Sequence, residues 1–322
     1  MDKVRIGIVG TGFIGNVHAR IYSRDERAEI TALYDILPER GHETARAVGG
    51  KVCSSREELL EHCDAVLICA PNKTHKEIAL HAIDEGKHVF CEKPFAIGFE
   101  DARELCTAAN AGRGVFQVGH NRRFAPVYQK LKELLQSDKP HSAHIKMNRG
   151  ELKNPPWTGD VNVTGGFLYE TTIHLFDMIR YQFGDIEELT AYGSQHEYPE
   201  LDEFSVIFKF KNGFHCTFAS SSDASWHFPF ERIEAFCHHR TIITEEMERV
   251  NDSRGMDANF ETVSFHMVDK EERWGYVQED RAFIDAILNG ADPPVTADDG
   301  LRSVEVVESV YKAIRNGEQV RF

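Results

Sequence analysis

Val4-Arg5-Ile6-Gly7-Ile8-Val9-Gly10-Thr11-Gly12-Phe13-Ile14-Gly15 opens the chain with a mainly apolar run, three glycines in the spacing G-x-G-x-x-G, and then a helical pattern. A short apolar run bounded by glycine reads as a buried strand. A glycine pattern of this kind carries meaning only between a strand and a helix, and that context is present. Gly10 permits a tight turn, Gly12 leaves the backbone open to a pyrophosphate, and Gly15 lets helix and strand pack closely. Phe13 and Ile14 lie in the same turn, at a helix N-terminus that faces the negative charge. Asp35 ends a second apolar run twenty residues after Gly15, where a ribose-binding acid belongs. A carboxylate there accepts hydrogen bonds from the adenosine ribose and repels the extra phosphate of NADP. NAD is therefore the expected cofactor, with Arg40 close enough in sequence to keep NADP open.

Outward from this stretch, short apolar runs alternate with helical patterns as far as about residue 120. The runs are Val4 to Val9, Ile30 to Tyr34, Ala65 to Ala70, His88 to Cys91 and Val115 to Val118, with helix-like Pro38 to Val48 and Thr74 to Glu85 among the connections. Such alternation predicts a doubly wound α/β domain with a parallel sheet. Beyond Arg123 a helix over Ala125 to Gln136, an irregular passage from Gly150 to Gly166 and a helix reaching Phe183 precede four expected strands. Those are Ile186 to Tyr192, Glu203 to Phe210, Phe214 to Ser220 and Arg232 to Phe236, with Lys211-Asn212-Gly213 as a hairpin turn. The expectation is a Rossmann domain over residues 1–122, followed by an α+β domain over 123–322 with a mainly antiparallel, open-faced sheet. Two helices close the chain, and Leu301, Val304, Val307, Val310, Tyr311 and Ile314 share one face of the last.

The 322 residues exceed what one hydrophobic core usually supports, which agrees with two domains. Acidic residues (52) outnumber basic ones (37), and a net charge of −15 repels phosphate backbones and anionic membrane faces, so neither nucleic acid nor membrane is an expected partner. No apolar run approaches the roughly 20 residues needed to cross a bilayer. The start Met1-Asp2-Lys3 lacks the pattern of a secretory leader, and seven cysteines without a Cys-x-x-Cys pair suit a reducing cytoplasm. Cys237-His238-His239 lacks the separated ligand pairs of a closed zinc site, so a strand-end turn and no metal are expected there.

Two stretches carry chemistry. Glu92-Lys93-Pro94 places a lysine just past the fourth apolar run, at the edge where open parallel sheets bind ligands. A cation there steadies the alkoxide that develops as hydride leaves a carbinol carbon. In Gly165-Gly166-Phe167-Leu168-Tyr169-Glu170-Thr171-Thr172-Ile173-His174, Glu170 and His174 stand four apart on one expected helix, with Asp177 three further on. Histidine is the usual proton acceptor near neutral pH, and a neighbouring carboxylate orients its ring.

Together with Ala70-Pro71-Asn72, His75 and Gly119-His120-Asn121-Arg122-Arg123-Phe124, these motifs resemble the Gfo/Idh/MocA family of glucose-fructose oxidoreductases and inositol dehydrogenases over most of the chain. The resemblance implies an NAD(P)-dependent oxidoreductase acting on a sugar or cyclic polyol, in a pocket between the Rossmann domain and the open-faced sheet. By position, Lys93 and His174 are similar to the family's catalytic pair, and Glu170 stands where aspartate is usual. The longer side chain leaves substrate, His174 and Lys93 all open as its partner. The resemblance further implies cofactor contacts by Asn72, His75, Glu92 and Lys93. It places Asn121 and Arg122 at the pocket edge and Tyr276 as a late pocket tyrosine. Trp157, in Asn154-Pro155-Pro156-Trp157-Thr158-Gly159-Asp160, falls in the capping segment, either stacked on a sugar face or plugging the domains. An NAD-dependent glycosidase and a non-catalytic dinucleotide sensor stand as alternatives, and the flat sheet face predicts a homodimer or homotetramer.

Overall fold

In the computed structural model, residues 3–151, 156–225, 230–256 and 259–322 are described. The first helical and strand elements run β1 (Val4–Val9), α1 (Phe13–Tyr22), β2 (Ala28–Tyr34), α2 (Pro38–Val48), β3 (Lys51–Val52), α3 (Arg56–Glu61), β4 (Ala65–Ile68), α4 (His75–Asp84), β5 (His88–Glu92), α5 (Phe99–Ala111) and β6 (Phe116–Gly119). The six strands form one parallel sheet in the order β3-β2-β1-β4-β5-β6. All four residues of β4 are buried, as a strand covered on both faces requires, and this is why its sequence is a continuous apolar run. The order reverses between β1 and β4, so the loops after these strands flank the crevice where doubly wound sheets take ligands. The short β3 was not among the expected strands. Two residues, one of them lysine, carry no hydrophobic period.

The second series comprises α6 (Pro126–Ser137), β7 (Ser142–Met147), α7 (Val161–Thr164), α8 (Ile173–Phe183), β8 (Ile186–Ser194), β9 (Glu203–Phe210), β10 (His215–Ser221), β11 (Glu231–Cys237), β12 (Arg240–Glu245), β13 (Arg249–Arg254), β14 (Asn259–Ser264), α9 (Lys270–Arg273), α10 (Tyr276–Asn289), α11 (Ala297–Asn316) and β15 (Val320–Arg321). Nine strands pair in the order β14-β13-β12-β11-β7-β10-β9-β8-β15, antiparallel except where β7 meets β10. Strict alternation of buried and exposed residues along β9 leaves one face for the core. There Phe176 of α8 packs against Phe208 and Phe218, with centroids 5.8 and 5.1 Å away. Each such ring contributes roughly 1.5–3 kcal/mol by burial.

By contact density the chain divides into one unit of Met1–His120 with Tyr276–Val304 and another of Asn121–Gly275 with Glu305–Phe322. Helix α10 and the first part of α11 belong with the first unit although they come late in sequence. Phe283 and Ile284 of α10 join Ile6, Ile8, Tyr22, Leu67 and Phe90 in one core cluster, and an apolar helix face is satisfied wherever such a cluster accepts it.

Candidate active site

In the first unit the glycine turn has the geometry its sequence demands. Gly10 has φ +91°, and a Cβ there would lie 2.6 Å from the Cys69 carbonyl oxygen, so the loops after β1 and β4 meet at a point only glycine allows. A Cβ on Gly15 would sit 2.0 Å from the Gly10 oxygen. At Gly12, by contrast, a Cβ would meet nothing within 4 Å, leaving open space above the α1 N-terminus. A diphosphate fits such a cradle, and NAD would be held by the backbone of Gly10–Gly15.

Asp35 is buried just past the end of β2. Its Oδ2 accepts from the Thr11 amide at 2.8 Å and hydroxyl at 3.1 Å, and its Oδ1 accepts from the Leu37 amide at 2.9 Å. The acid thus braces the glycine turn while its charge stays at the end of β2. Arg40 is exposed in the first turn of α2. Phe13 is also exposed, at 79%, and Ile14 half-buried.

Around the carboxyl ends of β4 and β5 stand Asn72, His75, Glu92 and Lys93. Asn72 is buried. The His75 ring spans two loops, Nε2 lying 2.8 Å from the Ala70 oxygen and Nδ1 2.8 Å from the Pro94 oxygen. Burial lowers its pKa against the pull of those carbonyls. A neutral ring donates to one of these carbonyls, and lying between both it ties the turn after β5 to the loop after β4. Lys93 is half-buried and precedes a cis proline, and its amide donates to Glu92 Oε2 at 3.1 Å. Sequence reasoning missed His18, which lies wholly buried between Glu92 and Asp280. Its separation from both in the chain left no local signal. Tyr276 packs edge-on to His18 at 5.8 Å.

In the second unit, Glu170 and His174 fall at a helical junction. Leu168–Thr172 forms a π-helical turn that runs into α8. A π turn bonds i to i+5, so the four-residue step from Glu170 to His174 falls short of a full turn there, unlike the continuous α-helix expected. Glu170 is half-buried and lies 3.9 Å from the Arg149 guanidinium, which also donates to Thr171 Oγ1 at 3.2 Å. His174 is 9% exposed. Asp177 faces Arg123, accepting bidentately at 2.7 and 2.6 Å, where the helical spacing had set it near the Glu170 and His174 face.

Arg122 is likewise committed. It donates to Glu231 Oε2 at 3.0 and 2.7 Å, Tyr128 donates to Glu231 Oε1 at 2.6 Å, and the three are buried. Asn121 donates to the Trp274 carbonyl at 2.8 Å. Trp157 is 41% exposed on a short turn, while Asn154 and Pro155 of its segment lie outside the described residues. Cys237 ends β11 and His238-His239 form the turn to β12, with His239 at φ +49°. Among the described residues no group of three or more potential ligands could hold a metal, and no helix is long and apolar enough to cross a membrane.

Two family models match the chain. An NAD-binding Rossmann domain of an oxidoreductase family covers residues 4–120, and the C-terminal α/β domain of the same family covers 132–322. A myo-inositol 2-dehydrogenase of Thermotoga maritima is 28% identical over 333 residues, spanning 99% of this chain and 98% of its own. An inositol 2-dehydrogenase of Rhizobium meliloti is 26% identical, with 98% of each chain covered. A solved levoglucosan dehydrogenase, in complex with NADH and levoglucosan, shares the fold with a TM-score of 0.90 at 20% identity, over 99% of both chains.

Proposed function

The chain belongs to the Gfo/Idh/MocA oxidoreductase family, and we propose that it is a dehydrogenase passing hydride between a ring carbinol of a sugar or cyclic polyol and NAD. The observation that carries this reading is Lys93 at the carboxyl end of β5, on a turn fixed by Glu92 and His75, in a sheet whose glycine turn fits a diphosphate. The inositol dehydrogenases among its relatives support the substrate class.

NAD, when bound, supplies the hydride acceptor. In this reading His174 takes the hydroxyl proton and Lys93 steadies the negative charge that develops on oxygen. Glu170, with Arg149 beside it, orients the substrate or the histidine. Asp35 disfavours the 2′-phosphate of NADP. The reading includes work in the cytoplasm, which suits the seven free thiols, and assembly through the open face of the nine-stranded sheet.

Replacing His174 with Ala is expected to lower turnover by about 10²- to 10⁴-fold while NADH fluorescence still reports binding. A panel of inositols, aldoses and their derivatives, assayed for NADH formation against NAD and NADP, identifies the substrate. Undiminished turnover in His174→Ala removes that residue from the mechanism. Aglycone release without NADH accumulation turns the reading toward a glycosidase.

A further inference from the structure

His18 follows Gly15 by three residues on α1, and its ring is completely buried. Nδ1 lies 2.8 Å from Asp280 Oδ1 on α10, and Nε2 lies 3.0 Å from Glu92 Oε1 at the end of β5. Ionised carboxylates only accept, so each nitrogen needs a hydrogen between it and its partner. Burial works against charge on His18, but Asp280 and Glu92 outweigh it and hold its pKa well above the ordinary value. Burial also raises Asp280, against the pull of His18. By that geometry one hydrogen lies between Nδ1 and Oδ1 and the Nε2 hydrogen points at Glu92. Glu92 is held below the usual carboxylate range, since His18 and Lys93 overcome the effect of burial.

The Glu92 carboxylate is fixed on its remaining sides too. Oε2 accepts from the Lys93 amide at 3.1 Å. On β6, Gly119 lies so close that a Cβ would come within 3.0 Å of Glu92 Cδ. Burying such a cluster carries a desolvation penalty for each ion, and apolar side chains of equal volume often serve stability as well. Stability alone is therefore a weak reason for this arrangement.

We propose that His18 is a positioning residue that clamps the Glu92 carboxylate and, through it, sets the Lys93 backbone at the carboxyl end of β5. The inference rests on Lys93 meeting the substrate hydroxyl. The clamp ties that lysine to α1, the helix that rises from the glycine turn, and to α10, where Asp280 and Tyr276 pack on the same imidazole. A displacement of about 1 Å in a reacting group can cost on the order of 10²-fold in rate, so fixing the turn by three partners has kinetic value.

The test compares His18→Gln, Gly119→Ala and Lys93→Met with the parent protein. Glutamine keeps both its N–H donors on one nitrogen and presents a carbonyl oxygen beside it, so it cannot donate to carboxylates on two sides. Gly119→Ala keeps every charge and presses on Glu92, which serves if His18→Gln folds poorly. Both are expected to lower kcat per folded protein by about 10- to 100-fold, to change KM for the polyol by less than kcat, and to keep the NADH dissociation constant within about threefold of the parent by fluorescence. A purely structural role lowers the melting temperature and the folded fraction with kcat per folded protein unchanged, and that result overturns the clamp. If Lys93→Met is inactive while His18→Gln and Gly119→Ala keep parental kcat, only the clamp falls. If Lys93→Met itself turns over normally, the proposed role of the lysine falls and the clamp with it.

Discussion

Asp35 has two roles at one carboxylate, and they separate by charge. Its oxygens hold the Thr11 amide and hydroxyl and the Leu37 amide, which shapes the glycine turn whether or not a cofactor is present. On the proposed reading its negative charge, at the end of β2, is what an added 2′-phosphate meets. Asp35→Asn retains an amide oxygen for the Thr11 amide and removes the charge. The expected outcome is a shift of about tenfold toward NADPH in the ratio of the two dissociation constants, or ~1.4 kcal/mol, measured by fluorescence titration. A ratio that stays put assigns Asp35 to the turn alone. His75 shows the same division of labour from the other side. Both ring nitrogens face backbone carbonyls, so it holds the Lys93-Pro94 turn against the loop after β4, beside the cofactor contact that the resemblance implies.

Helix α8 carries His174 on a surface that is almost wholly buried, and its placement depends on an ion pair one turn further along. Arg123 and Asp177 meet bidentately with side chains 8% and 1% exposed, and the guanidinium lies 5.1 Å from the Tyr181 ring. Asp177→Asn preserves the shape and removes the charge that meets Arg123, and breaking a buried pair from one side typically costs about 3–5 kcal/mol. Urea unfolding should show a lower midpoint at unchanged slope, and a midpoint within error of the parent would falsify this account. The pair was not legible in the sequence, because Arg123 and Asp177 stand 54 residues apart and the helical period had turned Asp177 toward His174. What could be read was local. The glycine spacing, the continuous apolar run of β4 and the alternation of β9 each report their own environment within a few residues. Strand β7 escaped notice although it lies in the middle of its sheet and Ala143, Ile145 and Met147 alternate with His144 and Lys146, because three apolar residues make too short a period to stand out. The polar β13 and β14 did so because their residues face solvent too often to show a buried stripe. The π turn at Leu168–Thr172 has no period of its own at five residues.

At the scale of the whole molecule, charge and the open sheet bear on assembly together. The chain carries −15, which opposes self-association unless copies meet on a surface of more even charge. The outward face of the nine-stranded sheet is such a surface. Its strands present Lys146, Arg232 and Glu234 beside Thr190, Thr217, Ile207 and Tyr192. Ile207 is 55% and Tyr192 75% exposed, whereas the same two strands bury Phe208, Leu189 and Ala191 on the opposite face. An aromatic and an aliphatic side chain exposed together on two neighbouring strands have the composition of an interface core. A stable contact of roughly 1,200–2,000 Å² in total is within reach of a sheet of this width. The expected outcome is a dimer or tetramer by light scattering, independent of NAD. Ile207→Glu combined with Tyr192→Glu places like charges opposite one another across a symmetric contact and should give the monomer, with circular dichroism unchanged. A parent protein that is monomeric at tens of micromolar, or a double variant that keeps the parental mass, removes this face from the assembly.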